Sequence, residues 1–97
     1  MMRMRTKGVT AKARAAKRRK LLAEYRRVCK LVDERDYGQC RVCGKNLFMS
    51  VNDAEHHHIK PRSTHPELFC ELSNIILVCA LCHRSLTEKR IAFAGPA

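Results

Sequence analysis

The side chains able to bind metal or move protons in this chain fall into two sets. Cys40 and Cys43 form one C-x-x-C pair, and Cys79 and Cys82 form a second. Two such pairs on short loops supply the four soft donors that a structural zinc ion takes tetrahedrally, so Cys40, Cys43, Cys79 and Cys82 are assigned to Zn²⁺. The other set is the run Glu55-His56-His57-His58. Side chains alternate along a strand, which would turn His56 and His58 one way and His57 the other. Adjacent imidazoles can then divide labour, one binding a metal and one exchanging a proton near its unperturbed pKa of about 6.5. By composition alone the run is equally compatible with a second zinc site or a solvated surface stretch. Cys79-Ala80-Leu81-Cys82-His83 also fits C-x-x-C-H, the attachment motif of c-type haem. The second C-x-x-C pair, the absence of an export signal and a strongly basic N-terminal third all argue against haem. Cys29 and Cys70 stand outside both pairs and read as small buried hydrophobes.

These residues need elements to position them. Residues 1–9 lack apolar periodicity and read as a flexible start. Thr10 is a candidate helix cap, and residues 11–35 lack Gly and Pro and are rich in Ala, Lys, Arg and Leu. Leu21, Leu22, Tyr25, Val28, Cys29 and Val32 follow helical spacing, whereas residues 11–20 carry only charge and alanine. The second half of this helix should pack on a domain and the first half project from it. Asp36-Tyr37-Gly38 ends the helix before the first cysteine pair. Residues 54–59 read as a strand closed by Lys60-Pro61, 62–73 as a polar loop and 74–78 as a second, β-prone strand. Residues 80–92 have helical character, with Leu81, Leu86 and Ile91 as inward positions. The expected organisation is a flexible start over 1–9, a basic helical arm over 10–36, a metal-binding domain over 37–92 and a tail over 93–97.

Charge separates the arm from the rest. The 97-residue chain has a formal net charge of +11, and residues 1–35 hold 13 basic against three acidic side chains. A net +10 of the +11 therefore sits in the first third, which predicts a polyanionic partner. Arg14, Lys17, Arg18, Arg19 and Lys20 are the candidate contacts to that polyanion. With so few residues able to read base edges in pairs, the arm should bind without sequence preference. An exposed solvated helix and an organellar transit peptide are the rival accounts of the arm. No apolar run is long enough to span a bilayer, and no apolar stretch follows the basic N-terminus as a secretory signal requires. The chain is thus expected to be cytoplasmic, without a membrane partner.

The order Cys40-x-x-Cys43, His57-His58-Ile59-Lys60-Pro61-Arg62-Ser63, Ser73-Asn74-Ile75-Ile76-Leu77 and Cys79-x-x-Cys82-His83 resembles the zinc-knuckle class of HNH endonucleases. The likeness extends over about residues 32–87 and is greatest to the small free-standing members found in phage and prophage. It implies an α+β protein, with a ββα-metal core, a structural zinc knuckle of four cysteines and a long basic N-terminal helix. It also implies that His58 is the general base, that Asn74 steadies the loop and orients that base, and that His57 and His83 hold a catalytic divalent ion. Thr87 stands where some members have a further histidine, and Thr64-His65-Pro66-Glu67 replaces a frequent Gly-Gly. Two protein ligands completed by water and phosphate oxygens favour Mg²⁺ or Mn²⁺. Lys60 and Arg62 are further candidate phosphate contacts, while His56 and His65 are expected at the surface.

The implied reaction is hydrolysis of DNA phosphodiesters, leaving 5′-phosphate and 3′-hydroxyl ends. One such unit, as a monomer or weak dimer, would nick one strand at a time, and a phage packaging or recombination complex is a candidate partner. The alternative is a non-catalytic zinc module that binds nucleic acid through its arm.

Overall fold

The computed structural model describes residues 10–93 and Ala97. The expected flexible start at residues 1–9 and most of the expected tail lie outside the described residues. Helix α1 spans Ala11–Arg35, strand β1 Ala54–His58, strand β2 Ile75–Cys79 and helix α2 Ala80–Thr87. Short 3₁₀ turns at Val51–Asp53, Pro66–Leu68 and Leu72–Asn74 punctuate the connections. The protein is α+β, and β1, β2 and α2 form the expected ββα unit beside the four cysteines.

Thr10 caps α1, its side-chain oxygen accepting from the Ala13 N–H at 3.1 Å. No apolar side chain on the first ten residues of α1 is buried, and packing begins further on, through Tyr25, Val28, Cys29 and Val32. A 25-residue helix is roughly 37 Å long, and the molecule measures 57 × 26 × 22 Å, so the basic half of α1 projects from the domain. Leu22 departs from the expected packing stripe and is exposed. At 100° per residue it lies roughly 60° round the helix from Tyr25, on the stripe's edge.

The sheet is an antiparallel pair in which Ala54 faces Cys79 and His58 faces Ile75. All five residues of β2 are buried, with Ile75, Ile76 and Val78 fully so. Burial on both faces explains its unbroken apolar run, since α1 covers one side of the sheet and α2 the other. Removing Ile76 beyond Cβ would cost about 2–5 kcal/mol.

Asp36 ties α1 to the sheet and to the first knuckle. Its carboxylate accepts from Arg35 Nε at 2.8 Å, Arg41 at 2.7 Å and the Leu77 backbone N–H at 3.0 Å. Arg35 also donates to the carbonyls of Leu72 and Ile75. Burial alone would raise the Asp36 carboxyl, but the Arg35, Leu77 and Arg41 donors outweigh it and hold the pKa below the usual carboxylate range.

Helix α2 corrects three expectations. It ends at Thr87 instead of running to residue 92, because Glu88 caps it and Lys89 turns into a left-handed conformation at φ 60°. Leu81 is 70% exposed, since Cys82 and Leu86, four residues apart on one face, take the inward positions and Leu81 is turned away from them. Ile91, read as an inward helical position, is 39% exposed and lies beyond the end of the helix.

Candidate metal centre and active site

The first knuckle is a tight turn. Cys40 N–H donates to the Lys45 carbonyl and Gly44 N–H to that of Cys40, with Gly44 at φ 80°, a conformation that favours glycine. The second pair sits where β2 enters α2, and the Cys79 sulfur accepts from the Cys82 N–H at 3.5 Å as the helix cap. Asp53 joins the two parts, pairing with Lys45 at 2.6 Å and accepting from the Ala80 N–H at 3.0 Å.

The four sulfurs of Cys40, Cys43, Cys79 and Cys82 all lie within 4.8 Å of one another, the one such group of potential metal ligands among the described residues. Tetrahedral Zn–S bonds of about 2.3 Å would set sulfurs about 3.8 Å apart, and those of Cys43 and Cys79 are 3.8 Å apart. The donor set fits zinc in kind, number and spacing. Burial would raise the Cys40 thiol, but N–H groups of Cys43 and Val42 at 3.4 Å help bring its pKa down to about 7. Burial, then hydrogen bonds with the neighbouring sulfurs, push Cys82 well up. A bound cation would displace the protons these sulfurs compete for.

Strand alternation divides the histidine run as expected. His56 and His58 face α1, while Glu55 and His57 face α2. The His57 and His83 rings meet edge to face with centroids 5.2 Å apart. Glu55, four tenths exposed, places Oε1 2.5 Å from His83 Nδ1. That hydrogen bond orients the ring and leaves Nε2 available as a ligand atom. Burial, then the nearby His83 and His58 imidazoles, lower the His57 pKa below the usual histidine range, which favours the neutral form a metal ligand requires.

On the other face, His58 Nε2 lies 2.9 Å from the carbonyl oxygen of Phe69. A carbonyl only accepts, so Nε2 carries the proton and the neutral ring presents Nδ1 as its basic atom. Phe69 stacks on His58 at 5.1 Å and on Tyr25 of α1 at 4.6 Å, so the imidazole is held by an aromatic cluster. Asn74, only 5% exposed, accepts from the Lys60 N–H at 2.9 Å and donates to the carbonyls of Lys60 at 3.1 Å and Leu68 at 3.3 Å. It thereby fastens the segment after His58 to the loop that carries Phe69.

The remaining predicted residues lie on the surface. Arg14, Lys17, Arg18, Arg19 and Lys20 are exposed on the projecting half of α1. Lys60 is exposed, and the Arg62 guanidinium sits 4.2 Å above the Phe69 ring. Thr87 is exposed one turn after His83. His56 is partly covered, its Nε2 2.7 Å from Asp33 on α1, and His65 pairs with Thr64. Glu55, Tyr25 and Phe69 are contributors that motif reading did not assign. Only Glu55 left a sequence signal, standing two residues before His57 and hence on the same strand face.

The family model for HNH endonucleases matches residues 40–89, just over half of the chain. The chain belongs to the HNH endonuclease family. Neither the curated proteins nor the solved structures offer a significant match. The matched HNH span runs from the first zinc-knuckle cysteine to the turn after α2, and so includes every histidine described above. Membership associates the protein with nucleic acid and with divalent metals, and the family also has inactive members. Among the described residues no helix is long and apolar enough to cross a membrane.

Proposed function

We propose that the protein is a metal-dependent DNA endonuclease that nicks one strand of its substrate with little sequence preference. The observation that carries this reading is the hydrogen bond from His58 Nε2 to the Phe69 carbonyl at 2.9 Å. It fixes the tautomer of His58, which directly follows in sequence His57, a member of the ligand-competent pair His57 and His83.

In this reading His58 Nδ1 takes a proton from the attacking water, which then displaces the 3′ oxygen of the scissile phosphodiester. His57 and His83 would hold a Mg²⁺ or Mn²⁺ ion, which would supply Lewis acidity at the scissile phosphate. Glu55 holds His83 in its ligating orientation and tautomer. Asn74 keeps the His58 end of β1 and the Phe69 carbonyl in register. Cys40, Cys43, Cys79 and Cys82 would hold Zn²⁺, and Cys79 and Cys82 would thereby fix the N-terminus of α2 and with it His83. Lys60 and Arg62 hold a flanking phosphate.

The arm over residues 10–36 supplies non-specific affinity through Arg14, Lys17, Arg18, Arg19 and Lys20, by release of counterions from the DNA backbone. Residues 37–92 carry the chemistry. The unit works as a monomer or weak dimer in the cytoplasm, and a phage packaging or recombination complex is its proposed setting.

The test is conversion of supercoiled plasmid to open circles across Mg²⁺, Mn²⁺, Ni²⁺ and Zn²⁺, with end-labelling of the nicks. Ion-dependent nicking with 5′-phosphate and 3′-hydroxyl ends is expected. DNA binding without nicking in any ion would leave the non-catalytic zinc module as the correct reading.

A further inference from the structure

The face of the sheet that carries His57 continues past α2 into a depression of about 480 Å³, within the roughly 300–1,000 Å³ of pockets that hold small molecules. Its outer wall is made by residues 89–93. After Lys89 turns at φ 60°, the N–H groups of Arg90 and Ile91 return to the Ser85 carbonyl at 2.9 and 3.5 Å, folding the chain back along α2. The depression thus combines two kinds of surface. Ile59, Leu86, Ile91 and Phe93 give it an apolar floor, and Lys89 and Arg90 give it a cationic rim. Arg90 pairs with Glu88 at 3.0 Å, whereas Lys89 has no ion-pair partner among the described residues.

The rim suits phosphate, but phosphate does not account for the floor. His57, where the nuclease reading puts the scissile phosphate, also lines this opening, and the adjoining nucleotide brings a sugar and a base as well as charge. Inside a perfect duplex that base has both faces stacked. An unpaired base has a free face that apolar and aromatic side chains can cover.

We propose that the depression beside His57 receives one unpaired nucleotide of the strand being cut, its base on Ile59, Ile91 and Phe93 and its phosphate on Lys89 and Arg90. The substrate class is then DNA that is locally single-stranded, such as a flap, bubble or branch, and nicking of intact duplex is the slower reaction. This rests on the nuclease reading and goes beyond it by naming the form of the DNA.

One labelled strand is presented to the parent protein fully paired, within a short mismatched bubble, and alone. The bubble should be cut about tenfold faster than the duplex, a ratio of the size that stacking of one base supplies. Ile91 is 39% exposed, so Ile91→Ser leaves the core intact; it should cut the bubble more slowly and bring the ratio toward one. Photo-crosslinking of 5-iodouracil placed in the bubble, on the His58→Ala protein, should give adducts on Phe93. Equal cleavage of duplex and bubble, a ratio unmoved by Ile91→Ser, or adducts confined to α1 would overturn the proposal. If the parent cuts none of the three DNAs, the nuclease reading fails by itself. The crosslink then decides the binding site alone, a Phe93 adduct supporting it and absence of one refuting it.

Discussion

The Glu55 carboxylate lies against His83 Nδ1 at 2.5 Å, joining two residues 28 positions apart in sequence across the junction of β1 and α2. A ligating histidine held through its other nitrogen loses less freedom on binding a cation, and removing such a partner commonly lowers metal affinity or activity about 10–100-fold. Glu55→Gln should therefore raise the Mn²⁺ concentration needed for half-maximal nicking by about that factor, with zinc content and melting temperature near those of the parent. An unchanged Mn²⁺ requirement would show that the contact is incidental.

Asn74 should matter through both stability and rate. Asn74→Ala strands the Lys60 N–H and two carbonyls, at a cost of about 1–3 kcal/mol in urea unfolding. Asn74→Asp retains the acceptor for the Lys60 N–H but loses the amide donors. Its nicking rate should fall further than its stability explains, as checked by assaying both variants well below their unfolding midpoints. Rates equal to the parent's would deny Asn74 any part in holding His58.

Much of this site is legible in the sequence because its signals are local. Within each pair the cysteines lie three positions apart, and the division of the histidine run follows from strand alternation alone. The pairing of Glu55 with His83 is not legible, because nothing in residues 55–58 says which element will cover that face. The Phe69 carbonyl is hidden for a different reason, since any residue has a carbonyl and only the folded loop selects one. Helix α2 reads too long because residues 88–92 contain no Gly or Pro, and its end depends on Lys89 adopting a positive φ. Leu81 reads as inward from composition, but the two cysteine positions set the phase of α2 and turn it outward.

Asp36 should set part of the acid sensitivity of the fold. Its folded pKa lies below that of an unfolded Asp, about 3.9, so its stabilisation is fully present above that value and is lost as the pH falls through the lower folded one. Asp36→Asn should be less stable than the parent at pH 7 by about 1–3 kcal/mol, because an amide cannot satisfy the Arg35, Arg41 and Leu77 donors. The gap between the two proteins should narrow below about pH 4. A gap independent of pH would mean that Asp36 acts by packing alone.

The two proposed metal sites should separate by mutation. Cys82→Ser should lose zinc, measured by chromogenic chelator after thiol release, and unfold, since zinc bound on folding contributes on the order of 10 kcal/mol. His57→Ala should keep its zinc and its melting temperature but lose Mn²⁺-dependent nicking. Loss of zinc from His57→Ala would place the histidine within the structural site.

Removing residues 1–20 should weaken DNA binding and flatten its dependence on salt, each lost phosphate contact taking about 0.9 from the log–log slope. An unchanged slope would make the projecting half of α1 a bystander.

The central claim is that His58, held through Nε2 by the Phe69 carbonyl, is the base of a DNA nuclease. It is tested most directly by the rate at which His58→Ala nicks supercoiled plasmid in Mn²⁺, beside the parent at equal zinc content and equal melting temperature. General-base loss predicts a fall of about 100-fold or more. A His58→Ala rate within about twofold of the parent's, far short of the loss expected for a general base, would contradict the account.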